Sequence, residues 1–224
     1  TPADNTVATA KIQNLAVTQA KLAAEAVNES KLQVSNGPTN GQFLSAQSGN
    51  TGGLTWAAVD TGVTSDAQYN TVAGTSAGDS FTGTDATYNT LVGYEAGTAI
   101  TTGDYNVALG NHSLHDNTTG TRNVSIGGWN LEKNTTAEQN TAVGHYVMVN
   151  NTTGAYNTAV GAYALDASTT ADDNTAIGVH ALGVNTTGAS NTAIGRAALD
   201  ANTTGDNNVA VGKNALSAAT TADK

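Results

Sequence analysis

The stretch Asn157-Thr158-Ala159-Val160-Gly161 returns as Asn174-Thr175-Ala176-Ile177-Gly178 and again as Asn191-Thr192-Ala193-Ile194-Gly195. The spacing of these copies governs how the rest of the chain reads. The closing glycines run Gly93, Gly110, Gly127, Gly144, Gly161, Gly178, Gly195 and Gly212, each 17 residues after the last, with Gly74 one 19-residue step earlier. Asn stands four residues before every one of them: Asn70, Asn89, Asn106, Asn123, Asn140, Asn157, Asn174, Asn191 and Asn208. Thr-Thr pairs beginning at 101, 118, 135, 152, 169, 186, 203 and 220 keep the same period.

A 17-residue unit is too short for helical and propeller repeats, whose units take about 33 to 50 residues, and it fits one coil of a β-solenoid. The expected fold is therefore all-β, a parallel β-solenoid or β-roll of about nine coils over 65–224. Each unit offers two strand candidates, for example Asn157 to Val160 and Tyr163 to Leu165. Between them lie Gly161 and the turn from Thr169 to Asp173, where Gly and Asn supply positive φ at little cost. Equivalent residues on stacked coils lie about 4.8 Å apart, so the eight steps from Gly74 to Gly212 span about 38 Å.

Composition alone points elsewhere. Lys and Arg number 8 against 18 Asp and Glu, a formal charge of −10, which argues against nucleic-acid backbones and anionic membrane surfaces as partners. Leu, Ile, Val and Phe are scarce enough to suggest disorder in a charged chain. The period resolves this, because a narrow coil holds only small or medium side chains such as Ala159, Val160, Ala164 and Leu165. With no Cys, the chain has no disulfide framework, thiolate metal site or thiol nucleophile. No apolar window reaches membrane-spanning length and no charged-then-apolar leader opens the chain, so membrane insertion is not expected. A first residue of Thr suggests a processed chain or a fragment.

The Asn column reads as a ladder of stacked amides (Asn89, Asn106, Asn123, Asn140, Asn157, Asn174, Asn191, Asn208) rather than a set of metal ligands. The calcium-binding nonapeptide pattern is absent and Asp shows no fixed repeat position. Asn-Thr-Thr at 117, 134, 151, 185 and 202 matches the glycosylation sequon but, recurring at a corner, reads as turn structure. Two residues after each glycine a variable column runs Glu95, His112, Trp129, Tyr146, Tyr163, His180, Ala197 and Asn214. With Tyr94 and His145 beside it, this forms an aromatic stripe. Tyr94, His112, Trp129, Tyr146, Tyr163 and His180 are candidates for binding a receptor or glycan, where sugars stack on rings. The reading that weighs more is simple stacking, or a seam between chains where aromatics dominate burial. A second column, Tyr69, Tyr88, Tyr105 and Tyr156, reads as packing.

No metal and no cofactor is expected. His112, His145 and His180 fall on coils two steps apart, about 10 Å between neighbours, too far to share an ion. No phosphate-cradling loop, nucleophile elbow or zinc-protease motif occurs, and Asp172 with Asp173 reads as a solvated corner rather than an acid pair for glycan hydrolysis. An enzyme is not expected.

Ahead of the repeats, residues 1–33 carry a ten-residue rhythm: Val7, Val17, Val27; Lys11, Lys21, Lys31; Ile12, Leu22, Leu32. This is no heptad, and the Ala-rich stretch leans helical, so it reads as a partly helical stem ordered against neighbouring chains. Residues 34–64 hold Gln42 to Ala46 and Leu54 to Val59, a β-hairpin connector with a Gly-rich loop, behind a boundary at Pro38 and Gly41.

Ala-Val-Thr-Gln-Ala-Lys-Leu at 16–22, Ala-Val-Asn-Glu-Ser-Lys-Leu at 26–32 and Gly-Pro-Thr-Asn-Gly-Gln-Phe-Leu-Ser-Ala from Gly37 resemble bacteriophage tail-fibre stems. The Asn-Thr-Ala-Ile-Gly coils are similar to fibre shafts and to the head repeats of trimeric autotransporter adhesins, whose unit is shorter. The resemblance implies a homotrimeric rod in a virion tail fibre or spike that mediates host attachment. Its partners would be itself, other fibre or tail proteins, and a host cell-surface glycan or protein. The alternative is a bacterial surface adhesin or extracellular filament subunit at the cell surface. Physics favours association independently: a thin coil buries little apolar area, while ordering each residue costs about 1–2 kcal/mol, so extra burial between chains would help, without fixing the number of chains. The last residues stop where a strand would begin, so further chain or another subunit is expected to cover that end.

Overall fold

The computed structural model describes residues 42–46, 54–58, 64–81 and 85–221. The expected stem over 1–33 lies outside the described residues. The chain divides between Val59 and Asp60, and each unit is described by itself. In the first, β1 (Gln42–Ala46) pairs antiparallel with β2 (Leu54–Ala58), with Gln42 opposite Ala58 and Ala46 opposite Leu54. This is the expected hairpin, its second strand one residue shorter.

The second unit is a parallel β-solenoid. Its strands are β3 (Thr64–Ser65), β4 (Thr71–Ala73), β5 (Thr90–Val92), β6 (Val107–Leu109), β7 (Val124–Ile126), β8 (Thr141–Val143), β9 (Thr158–Val160), β10 (Thr175–Ile177), β11 (Thr192–Ile194) and β12 (Val209–Val211). They form one sheet in sequence order, and from β4 onward each pairs in parallel with the next coil in register, so that Ala159 faces Ala176 and Ala176 faces Ala193. About eight turns result, where the sequence suggested about nine coils. β3 runs antiparallel to β4 and covers the sheet's first edge. No helix occurs among the described residues.

Three residues suffice for each strand because their chemistry alternates. The middle one is small or medium and points inward: Ala108, Ala142, Ala159, Ala176 and Ala193 are fully buried. From β5 onward the flanking two are Thr, Val, Ile or, at Leu109, Leu and point outward, nearly all β-branched residues suited to a pleated surface. A buried Leu or Met completes each layer, as Leu114, Leu131, Met148, Leu165, Leu182 and Leu199. Where one coil departs, another side chain fills the volume. Gly97 occupies the Leu position, and a Cβ there would lie 2.8 Å from Ile100 and 2.9 Å from Leu91, the larger residues that replace Asn and Ala in that coil. Near Gly127 the interior turns polar without leaving orphans: the Ser113 and Ser125 hydroxyls are 2.6 Å apart, Ser125 Oγ donates to Asn130 O, and Asn130 Oδ1 accepts the Val147 N–H.

The second strand expected in each coil is absent. Tyr163 to Leu165 is a turn in which Tyr163 (φ 59°) and Leu165 (φ 51°) are left-handed. Their amides point opposite ways along the axis: Tyr163 N–H donates to His145 O of the preceding coil and Leu165 N–H to Ala181 O of the following one. These bonds over-determine a conformation that Tyr and Leu ordinarily avoid. The closing glycine is different, being held at φ 121° at Gly161. A Cβ there would sit 2.7 Å from the carbonyl carbon of Gly178, so both the dihedral and the stacking distance require Gly.

The asparagine ladder is present throughout. Asn174 shows the pattern: its N–H and its Nδ2 both donate to Asn157 Oδ1 (2.9 and 3.2 Å), and its own Oδ1 accepts the N–H and Nδ2 of Asn191. The Asn-Thr-Thr asparagines make a second, parallel ladder, with Asn134 Nδ2 donating to Asn117 Oδ1 and Asn151 Nδ2 to Asn134 Oδ1. Both ladders share a carbonyl. Gly188 O accepts from Asn174 and Asn185, Ala137 O from Asn123 and Asn134. The five sequon asparagines are fully buried, in keeping with a turn role and not with attachment of a sugar.

Candidate functional site

The left-handed residue two after each glycine aims its side chain outward at the same place on every coil, which is what turns a sequence column into a stack. Ring centroids are 5.7 Å apart from Tyr94 to His112, 5.8 Å from His112 to Trp129, 5.4 Å from Trp129 to Tyr146, 5.7 Å from Tyr146 to Tyr163 and 5.1 Å from Tyr163 to His180. All six candidate residues therefore meet in one stripe. From Trp129 to His180 neighbouring rings are within 6° of parallel, whereas His112 and Trp129 are tilted by 36°. His145 stands edge-on to Tyr146 at 4.5 Å and walls one side. Tyr94 joins from the position before the column, which Glu95 occupies.

Stacking along the axis has a chemical consequence. Tyr146 and Tyr163 have a parallel neighbouring ring on each side, so a sugar cannot lie flat upon them. At the ends, Tyr94 and His180 each have a ring of the stripe on one side alone. The Tyr69, Tyr88 and Tyr105 rings also stack, at 5.2 and 4.9 Å, and the Arg122 guanidinium continues the row 5.8 Å above the Tyr105 ring. Tyr156 instead donates its hydroxyl to Glu138, and that bond raises the Tyr156 pKa.

Acids do keep a repeat position, contrary to the expectation from sequence. Six residues before the glycine, Asp104, Glu138, Asp172 and Asp206 alternate with Thr87, Thr121, Ala155 and Ala189. Each aspartate accepts the N–H of the residue one coil earlier: Thr87 at 2.7 Å, Ala155 at 2.7 Å and Ala189 at 2.6 Å. Glu138 accepts the Thr121 hydroxyl instead. Alternation spaces like charges by two coils, which spares them direct repulsion. Asp172 and Asp173 are both exposed.

One cluster was missed in the sequence. His112 and His115, three residues apart on one coil, both reach Glu95 on the preceding coil: His112 Nε2 lies 3.2 Å and His115 Nε2 3.3 Å from Glu95 Oε2. One potential ligand atom from each of the three lies within 4.8 Å of the others. His115 Nδ1 is 2.6 Å from Asp116 Oδ1, while the buried His112 Nδ1 has no hydrogen bond and faces Glu132 Oε1 at 3.6 Å. A hydrogen bond from Tyr94 is the main cause holding the Glu95 carboxyl below its ordinary range; burial opposes it, and both histidines add to it. The turn that brings His115 beside His112 replaces an expected strand at His112 to Leu114, the counterpart of Tyr163 to Leu165, and an extended chain there would have carried His115 away from His112. Comparison with protein-family models gives no match, and comparisons with curated proteins and with solved structures give none either.

Proposed function

We propose that the chain is a non-enzymatic structural shaft of a phage tail fibre or spike, a homotrimer joined to other virion proteins and carrying a host-attachment surface. The observation that carries this reading is the outer face of the sheet. On the eight strands β5–β12 the first and third positions hold only Thr, Val, Ile and Leu, from Thr90 and Val92 to Val209 and Val211, without one charge. Several are well exposed, Ile177 at 40% and Val211 at 67%. A flat, uncharged strip about 34 Å long on a protein of net charge −10 is a liability in a lone chain and an asset between copies. It also relieves the aromatic stripe of the seam role. The stripe then stiffens the rod, with its two end rings, Tyr94 and His180, as places where a host glycan can stack.

Mass measurement in solution tests the association. The expected result is three chains per particle for the native protein and a single chain for Ile177→Lys with Ile194→Lys. A native protein that stays monomeric at high concentration sinks the proposal, and a double variant that remains trimeric moves the interface elsewhere.

A further inference from the structure

We propose that Glu95, His112 and His115 form a binding site for a divalent transition-metal ion, zinc above all, that clips two neighbouring coils together. The inference is independent of the fibre reading. Three features carry it. The first is spacing. Ligand atoms bound tetrahedrally to zinc at about 2.0–2.1 Å lie about 3.3 Å from one another, and both imidazole Nε2 atoms stand 3.2–3.3 Å from the same Glu95 oxygen.

The second is the tautomer. Asp116 Oδ1 lies 2.6 Å from His115 Nδ1; in the tautomer that donates Nδ1–H to this carboxylate, Nε2 is the ligand nitrogen and faces Glu95. A carboxylate behind a histidine is the usual outer support of a metal-bound imidazole, fixing its orientation and raising its basicity. The third is an unmet need. His112 Nδ1 is buried without a hydrogen-bond partner and is turned to the Glu132 carboxylate, so a ring that gives Nε2 to an ion has an acceptor waiting for its Nδ1–H. Glu132, at 3.6 Å from His112 Nδ1, adds a third carboxylate and makes the pocket electronegative.

Two imidazoles and one carboxylate are a ligand set that zinc accepts with its fourth position open to water, and one that a hard oxygen-seeking cation such as magnesium does not favour. The two rings stack at 4.9 Å and 13°, so their lone pairs run side by side. Converging them on one ion requires a small turn of an imidazole about its terminal torsion, which is a soft one, and His112 can make it without breaking a hydrogen bond at Nδ1.

The test is calorimetric titration of the full, tag-free chain with zinc chloride, and separately with magnesium chloride, at mildly alkaline pH. One equivalent of zinc should bind per chain with a rise in melting temperature, magnesium should do neither, and cobalt(II) should give the visible absorption of a tetrahedral site. His115→Gln and Glu95→Gln should weaken zinc binding by at least about tenfold, and Asp116→Asn, which keeps all three ligands, by about tenfold. Glu138→Gln, remote from the cluster, should leave it unchanged. Circular dichroism of each variant separates loss of the site from loss of the fold. Absence of zinc binding by the native chain overturns the proposal, as does binding that His115→Gln and Glu95→Gln leave unaltered.

Discussion

The two asparagine columns run side by side through the same interior, share carbonyls, and yet differ in how strictly the sequence keeps them. The first, Asn70 to Asn208, is Asn at all nine of its positions. The second reads Ile100, Asn117, Asn134, Asn151, Ser168, Asn185, Asn202 and Ala219. The difference lies in what each amide oxygen accepts. In the first column Oδ1 accepts the backbone N–H of the next coil's asparagine, as Asn191 N–H to Asn174 Oδ1 at 2.9 Å. Without it that buried amide has no partner. In the second column the backbone N–H is satisfied within its own coil, Asn134 to Leu131 O and Asn185 to Leu182 O, and Oδ1 accepts only another side chain. A column that serves the main chain cannot lapse, whereas one that serves side chains can be replaced in pairs by apolar groups at little cost.

The comparison can be broken by matched substitutions. Asn174→Leu strands the Asn191 N–H and removes the bonds to Asn157 Oδ1, Gly188 O and Asp172 O. A loss of about 3–4 kcal/mol is expected in chemical unfolding. Asn134→Leu in the other column orphans Asn117 Oδ1, but Ala137 O keeps its bond from Asn123, and Ile100 already places an apolar side chain at this position. The expected loss is about 1–2 kcal/mol. Equal losses at the two sites would refute the distinction between serving main chain and serving side chains.

How far the sequence reveals this follows from the same distinction. Period, strand position, the first ladder and the ring column are legible because each recurs with one residue type or one chemical character, and identical side chains one coil apart must meet. The turn from Tyr163 to Leu165 is not, since Tyr and Leu locally favour strands and only the bonds to coils before and after hold them at positive φ. The His112 and His115 pair is hidden for the same reason, because a strand from His112 to Leu114 gives no cause for His115 to fold back beside His112. The alternating acids escaped because their period is two coils, so a search at 17 residues finds Asp104 and Asp172 but Thr121 and Ala155 between their neighbours. The second ladder was visible as Asn-Thr-Thr, yet a turn motif and a buried amide column look alike in one dimension.

The gap at Ser168 offers a repair. Asn151 Oδ1 and Ser168 Oγ are both buried without a partner, and Ala171 O takes one ladder donor, from Asn157, where its counterparts take two. Ser168→Asn can donate Nδ2 to Asn151 Oδ1 and Ala171 O while accepting from Asn185 Nδ2. The neighbouring Ala171 is no obstacle, because Asn134 coexists with Ala137 in the same arrangement. A gain of about 1 kcal/mol is expected, visible as a rise in thermal midpoint of about 2–4 °C. No gain would mean that these orphan atoms are already hydrated.

The smallest effect belongs to the end of the first ladder, where Asp66 stands in for a preceding asparagine. Its Oδ1 accepts the N–H groups of Gln68 and Asn70, and its Oδ2 accepts Asn70 Nδ2 at 2.8 Å. Burial would raise the carboxyl pKa, but the bonds from Asn70 and Gln68 outweigh it and hold the pKa below its ordinary value of 3.8. A carboxylate depressed in the folded state stabilises the fold above its unfolded pKa and loses that contribution as the pH falls through the folded value. Asp66→Asn keeps an oxygen for the two amides but sets one Nδ2 against another, as the protonated acid sets its O–H. The native chain should therefore be slightly more stable than the variant at neutral pH, and the gap should close as pH drops below about 4. A gap that persists unchanged into acid would show that shape alone, and not charge, seats the first asparagine.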